Sequence, residues 1–404
     1  MKIQRCKGTR DLSPEEMKRF CFIEGVFRDA CLKRGYGEVK TPTLEYLHLF
    51  TSAGTLTPSM LGKVYSFLDW DGWSGERVVL RPDATIPVAR LYIEQMAEKK
   101  LAKLFYITNV FIFEETGKKT REKWQCGAEL IGAGSPLADV ELIVLALEVL
   151  NKLGLKDVEL RLSHAGLTKG ILQKIGLSPE EQDKVFDQIL DGDATVLSQI
   201  KTEKPELAPL LELQGKSSGF VKNLAAVLDQ PELKPQIDNF ISIANILETL
   251  GYDYRIDVAS VRGFEYYTGV IFQLFSGEEK VGGGGRYDAL IPAMGGKDTP
   301  ASGFALYLDL LMNLIKEENL NQSQRILVRV EPEALKSGFE ISGVLREAGY
   351  IAELRLGADT PARWVLDVRR EAPPFVLTDR AKQKKFELGN TSEVLTLLNR
   401  SKAL

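Results

Sequence analysis

The run Val261-Arg262-Gly263-Phe264-Glu265-Tyr266-Tyr267-Thr268-Gly269, with Gly282-Gly283-Gly284-Gly285-Arg286-Tyr287-Asp288 soon after it, decides how this chain is read. It brings a guanidinium, two adjacent phenols and a glycine-rich turn within one hairpin of each other. Between the two runs, Val270-Ile271-Phe272-Gln273-Leu274-Phe275 is rich in β-formers, so the stretch reads as a strand entering a flexible glycine turn. Such a cluster can form a small polar pocket whose donors are aimed by sheet backbone. A hairpin whose tyrosines only pack is the other reading, and local chemistry leaves both open.

Arg262 to Gly269, taken with Gly284-Gly285-Arg286-Tyr287-Asp288, resembles the histidine-recognition element of a known family. That family comprises the histidyl-tRNA synthetases and their paralogues, the regulatory subunits of ATP phosphoribosyltransferase. The resemblance implies an α+β, class II aminoacyl-tRNA synthetase-like fold, an antiparallel sheet flanked by helices. It also leaves a choice between two functions, an enzyme that charges tRNA and a regulator of the first step of L-histidine biosynthesis.

At 404 residues the chain can hold two or three domains, each with its own core. Its 44% hydrophobic and 27% charged residues are ordinary for a globular protein, and no apolar run approaches a membrane span. The start, Met1 to Gly8, lacks the apolar core of a signal peptide, which gives the expectation of a cytoplasmic location. Cys6, Cys21, Cys31 and Cys126 are sparse and unpaired in spacing, so neither a disulfide framework nor a metal site is supported. A net charge of -4 gives no global pull toward nucleic acid and argues mildly against tRNA binding. The two histidines, His48 and His164, have no nucleophile or metal partner nearby in sequence, which argues against histidine acid–base chemistry.

Pro14 to Lys33 carries Phe20, Ile23, Phe27, Ala30 and Cys31 at helical spacing behind a Pro14-Glu15-Glu16 start. A glycine break, a strand and Pro42 follow, resembling the first class II motif, which in the family forms the dimer interface. Val78 to Leu80 leads through Arg81-Pro82-Asp83-Ala84-Thr85 into a helix. Phe105 to Glu114 and Trp124 to Gly132 read as an antiparallel hairpin resembling the second motif. Its loop cations, Lys118, Lys119, Arg121 and Lys123, suit a solvated tip better than a nucleic-acid patch. Ala138 to Leu153 reads as an apolar helix laid on the sheet. Residues of about 166–248 read as a helical insertion, with Ser178-Pro179-Glu180-Glu181 as a helix start. Thr299 to Leu311 reads as a turn entering a helix, resembling the third motif. The expected domains are 1–320, synthetase-like, and 325–404, a small C-terminal α/β domain of β-α-β type.

Adenylate formation requires fixed cations on the α-phosphate of ATP, and the family places arginines in its second and third motifs for this. In this chain those positions hold Ile112 and Leu310. Removing one charge clamp of this kind costs about 3–4 kcal/mol, or 10²–10³ in rate, so losing both argues against catalysis. The amino-acid site implied by the resemblance is, by contrast, complete. Asp83 and Thr85 would hold an α-ammonium with Gln125 close by. Glu129 and Tyr267 would bracket the imidazole, beside Tyr266, with Tyr287 along its edge, and Arg262 would answer the carboxylate. An ordinary structural role also exists for some of these residues, since Asp83 and Thr85 both suit a helix cap.

The resemblance therefore implies a non-catalytic regulatory subunit that activates a separate, short catalytic subunit of ATP phosphoribosyltransferase in a hetero-oligomer. It would sense L-histidine as effector, form a homodimer through its N-terminal motif, and need no cofactor. The alternative is a histidyl-tRNA synthetase, active or degenerate.

Overall fold

The computed structural model describes residues 3–52, 61–69, 75–113, 120–174, 176, 178, 181, 185, 213–228, 233–257, 267–316, 325–357 and 360–402. Two compact units divide the chain, Met1–Asn319 and Leu320–Leu404.

The first helix of unit one, α1 (Pro14–Lys33), begins because Ser13 and Glu16 cap each other reciprocally and Pro14 fits the first turn. It ends at Gly35, whose φ of 78° only glycine adopts without strain. Strands β1 (Gly37–Glu38) and β2 (Leu44–Tyr46) follow, then α2 (Leu47–Ser52), β3 (Ser66–Leu68) and β4 (Arg77–Leu80). Next come α3 (Thr85–Gln95), β5 (Ala102–Phe111), β6 (Glu122–Ile131), α4 (Pro136–Lys152), β7 (Val158–His164) and α5 (Ala165–Lys174). Over the segment expected as an insertion, the described elements that follow are β8 (Gln214–Gly215), α6 (Ser218–Leu228) and α7 (Lys234–Thr249), so it holds a short strand besides helices. The sheet resumes with β9 (Arg255–Asp257), β10 (Val270–Ser276) and β11 (Glu279–Arg286). The unit closes with α8 (Leu290–Ala293), β12 (Ala301–Tyr307) and α9 (Leu308–Leu314).

Nine strands form one sheet in the order β1-β5-β6-β12-β11-β10-β7-β9-β8, and β2-β4-β3 form a second, small antiparallel one. The centre of the large sheet is antiparallel, as expected, while the pairs β1–β5 and β7–β9 toward its two ends run parallel. Phe27 of α1 meets Phe105 and Phe304 edge-on at ring-centroid distances of 6.0 and 6.2 Å, anchoring the helix to one sheet face. A second apolar cluster, including Ile86, Ala89, Tyr92, Tyr106, Tyr287 and Ile291, joins α3 to the opposite face. The candidate site lies on that second face.

Two expectations are corrected. The glycine run is not a turn: Gly282 to Gly285 lie inside β11, paired with β10 on one side and β12 on the other. The turn falls earlier, at Gly277. Glycine is required in this strand by close approach, since a Cβ at Gly283 would sit 2.7 Å from the Phe272 carbonyl, and one at Gly285 would sit 2.5 Å from that of Val270. The third motif is likewise not a turn into a helix. Its Gly303-Phe304-Ala305 lies in β12, and the helix begins only at Leu308. Pairing of β12 with both β6 and β11 overrides the helical preference of its Ala and Leu residues.

Unit two carries β13 (Arg325–Val330), α10 (Leu335–Glu347), β14 (Ile351–Leu354), β15 (Trp364–Val368), β16 (Phe375–Asp379), β17 (Lys384–Leu388) and α11 (Thr391–Lys402). Its sheet order is β14-β13-β15-β16-β17, with β13 parallel to both neighbours and the later strands antiparallel. Trp364, Leu366, Leu377, Ile341 and Leu398 form its core. The β-α-β reading covers the first part, and an antiparallel ribbon and a terminal helix complete it.

Candidate functional site

Arg81 fixes the approach to the site. It is 3% exposed. Its guanidinium donates to the carbonyls of Asn109 (2.8 Å), Thr41 (2.9 Å) and Pro42 (2.9 Å), to Asn109 Oδ1 (2.9 Å) and to the Thr108 hydroxyl. Those acceptors belong to the segment after β1 and to β5, so Arg81 ties both to the end of β4. Burial draws its basicity down, and carbonyl dipoles take the place of a carboxylate partner.

Two residues further on, Asp83 accepts from the Ile86 amide at 2.9 Å, so it does cap the helix. It also lines a cavity, so the two readings of Asp83 coexist. Thr85 opens α3 and donates its hydroxyl to Glu129 Oε1 at 2.8 Å.

Strand alternation does the rest. Gln125, Gly127 and Glu129 share one face of β6, and Gly303, Ala305 and Tyr307 share one face of β12. Register places Glu129 opposite Gly303 and Gly303 opposite Gly285, a row across three strands in which two members have no side chain. Gly303, with Gly283 and Gly284, makes the floor of a cavity of about 70 Å³. Tyr267 lines the same cavity and lies against Gly285, where its ring carbon Cδ1 would be 2.8 Å from a Cβ.

Asp83, Thr85, Gln125, Tyr267 and Tyr287 all line this one cavity. Glu129 lies just behind the lining, 1% exposed, and receives the hydroxyls of Thr85, Tyr106 (3.3 Å) and Tyr287. It thereby sets the orientation of two residues that do line it. Arg262 and Tyr266 lie outside the described residues, as do Lys118 and Lys119.

Burial pushes the Glu129 carboxyl up to about 8, against the hydroxyl hydrogen bonds that favour its charged form, with Asp83 adding repulsion. Arg286 is an anchor in the described structure. Its guanidinium makes a two-bond pair with buried Asp139 (2.7 and 3.1 Å) and reaches Asp288 at 3.0 Å, fixing the chain from which Tyr287 projects. Burial raises the Asp139 carboxyl to about 6.

Neither histidine joins the cavity. His48 stacks on Tyr46 at 5.4 Å. His164, at the end of β7, accepts from the Gly166 amide at 3.2 Å and is drawn down to about 4 by burial, which keeps it neutral. Ile112 and Leu310 are partly buried and do not line the cavity. The residue before Leu310, Asp309, is held by Arg10 and by the Trp124 amide (2.6 Å).

Sequence reading missed Lys280 and Tyr307, which line the cavity with Phe272 and Phe304. A signal was available for both once the glycine run is seen as strand. Lys280 lies on that strand, and Tyr307 ends the strand that pairs with it.

A pH test follows from Glu129. Its folded-state pKa lies above the 4.5 of an ordinary glutamate. Its contribution to stability is therefore whole below about pH 4.5 and is lost as pH rises through about 8. Glu129→Gln is expected to match the wild type near pH 4.5 and to exceed it at pH 8 by on the order of 2–4 kcal/mol, read from urea midpoints. Parallel pH profiles for the two proteins would contradict this.

The fold is that of a class II aminoacyl-tRNA synthetase-like protein, with a small, partly polar cavity on one face of its sheet. Residues 8–311 match the histidyl-tRNA synthetase family model. An ATP phosphoribosyltransferase regulatory subunit of Dehalococcoides mccartyi is 54% identical, with 98% of each chain covered. A histidine–tRNA ligase of Methanocaldococcus jannaschii is 35% identical, covering 88% of this chain and 86% of that one. A crystal structure from Bacillus halodurans, titled as an ATP phosphoribosyltransferase regulatory subunit/histidyl-tRNA synthetase, superposes with a TM-score of 0.76 at 25% identity, covering 89% and 95% of the two chains. The chain belongs to the histidyl-tRNA synthetase family and, within it, to the group formed by the ATP phosphoribosyltransferase regulatory subunits. Among the described residues no helix is long and apolar enough to cross a membrane.

Proposed function

We propose that this chain is a non-catalytic regulatory subunit of ATP phosphoribosyltransferase that activates a separate catalytic subunit and carries free L-histidine as its effector. The observation that carries the reading is the contrast between a furnished amino-acid pocket and aliphatic residues at both family positions for phosphate-binding arginine, Ile112 and Leu310. A zwitterion with an imidazole ring needs an anion for its ammonium, acceptors for its ring and a cation for its carboxylate. Asp83, Thr85 and Gln125 supply the first, and Tyr267 and Tyr287, backed by Glu129, frame the second. Arg262 is proposed to help with the third.

On this reading the protein works in a hetero-oligomer with the catalytic subunit, forms a homodimer through the α1–β1 region, acts in the cytoplasm and does not charge tRNA. Supplied with histidine, ATP and histidine tRNA, it is expected to give neither histidine-dependent pyrophosphate exchange nor aminoacylation. Turnover at ordinary synthetase rates, about 1 s⁻¹ or more, would replace this reading with that of a ligase.

A further inference from the structure

The described residues that line the cavity include one anion, Asp83, and one cation, Lys280. Lys280 is on β11 three residues before Gly283, and its stem reaches toward that glycine. Its Cε would be 3.5 Å from a Cβ at Gly283. The stem therefore passes beside Gly283, and Lys280 lines the cavity there.

Register gives the spacing. Glu129, Gly303, Gly285 and Ile271 form one row across the sheet, and Gly127, Ala305, Gly283 and Gln273 form the next. Rows two residues apart are separated by roughly 7 Å. The first row carries the Thr85–Glu129–Tyr287 hydrogen bonds and the Tyr267 ring. Lys280 reaches the second. A ring-bearing amino acid with its side chain over the first row extends its backbone carboxylate toward the second, where the cation is.

We propose that Lys280 receives the α-carboxylate of the bound amino acid, and so makes this site select a free amino acid over the corresponding alcohol or amine. This rests on the amino-acid reading of the pocket given above. A lysine is suited to the task because a flexible stem delivers a point charge without demanding the planar geometry of a guanidinium.

The test uses the full-length protein and calorimetric titration with L-histidine and, by competition, L-histidinol, in which a hydroxymethyl group replaces the carboxylate. In the wild type histidine should bind about 10- to 100-fold tighter than histidinol, the usual range for a hydrogen bond to a charged group. Lys280→Met should lose most of that preference, with histidine affinity falling by nearly the same factor and histidinol affinity unchanged, while Lys280→Arg keeps most of it. An unchanged preference in Lys280→Met, or equal losses for both ligands, would overturn the role of Lys280 while leaving the histidine site standing. Wild-type protein that binds no histidine at millimolar concentration would overturn both.

Discussion

Replacing Gly303 with alanine is expected to abolish histidine binding and to destabilise the protein by about 2–4 kcal/mol. A Cβ there would collide with Glu129 Oε2 and lie 2.9 Å from the Ala128 carbonyl oxygen. Glu129 cannot withdraw, because it is fully buried and its two oxygens are held by Thr85, Tyr106 and Tyr287. The backbone cannot withdraw either, since β12 is paired on both sides. Overpacking in such sites typically costs 1–3 kcal/mol, and here it also breaks charge-favouring hydrogen bonds. Gly343, on α10, is the control. A Cβ there meets nothing within 4 Å, so Gly343→Ala should be neutral or slightly stabilising. A wild-type urea midpoint, or wild-type histidine affinity, for Gly303→Ala would show that Glu129 and Gly303 are not held rigidly against each other.

How much of this was legible beforehand depended on which physical signal carried it. Helix α1 announced itself by a cap, a proline and the apolar spacing of Phe20, Ile23, Phe27 and Ala30, all of which are local. The hairpin β5–β6 was equally plain, because two long β-rich runs flank a polar loop. The glycine run and the third motif were misread for one shared reason. Glycine and alanine carry weak or opposite local preferences, and what makes them strands is the neighbouring strand on each side, a non-local fact. The same facing of small residues across β11 and β12 creates the cavity floor, so the misread segments are the ones that build the site. Lys280 went unnoticed because a lysine beside a turn looks solvated, whereas this one passes beside Gly283 and lines the cavity. Arg81 could be seen only in three dimensions, since its carbonyl acceptors come from segments 28 to 40 residues away.

The second large effect expected is on regulation. If histidine binds in this cavity and acts on an active site in another polypeptide, the two sites share a coupling free energy, typically about 1–3 kcal/mol. Reciprocity then requires that the catalytic subunit or its substrates change histidine affinity by the same factor. Tyr267 is the residue to remove, since its ring lines the cavity beside Gly285 and its loss leaves the Thr85–Glu129–Tyr287 hydrogen bonds in place. Tyr267→Ala should still activate the catalytic subunit, because its ring lines the cavity and its removal leaves the surrounding sheet paired.

The direct measurement is formation of phosphoribosyl-ATP by the reconstituted complex as histidine is titrated, with wild-type protein and with Tyr267→Ala. The wild-type complex should be active only when both subunits are present and should be inhibited by histidine. The Tyr267→Ala complex should match its uninhibited rate but need at least about tenfold more histidine for half inhibition, a shift of 1.4 kcal/mol or more. An identical inhibition curve for the two complexes would place the regulatory site elsewhere and contradict the account of this cavity.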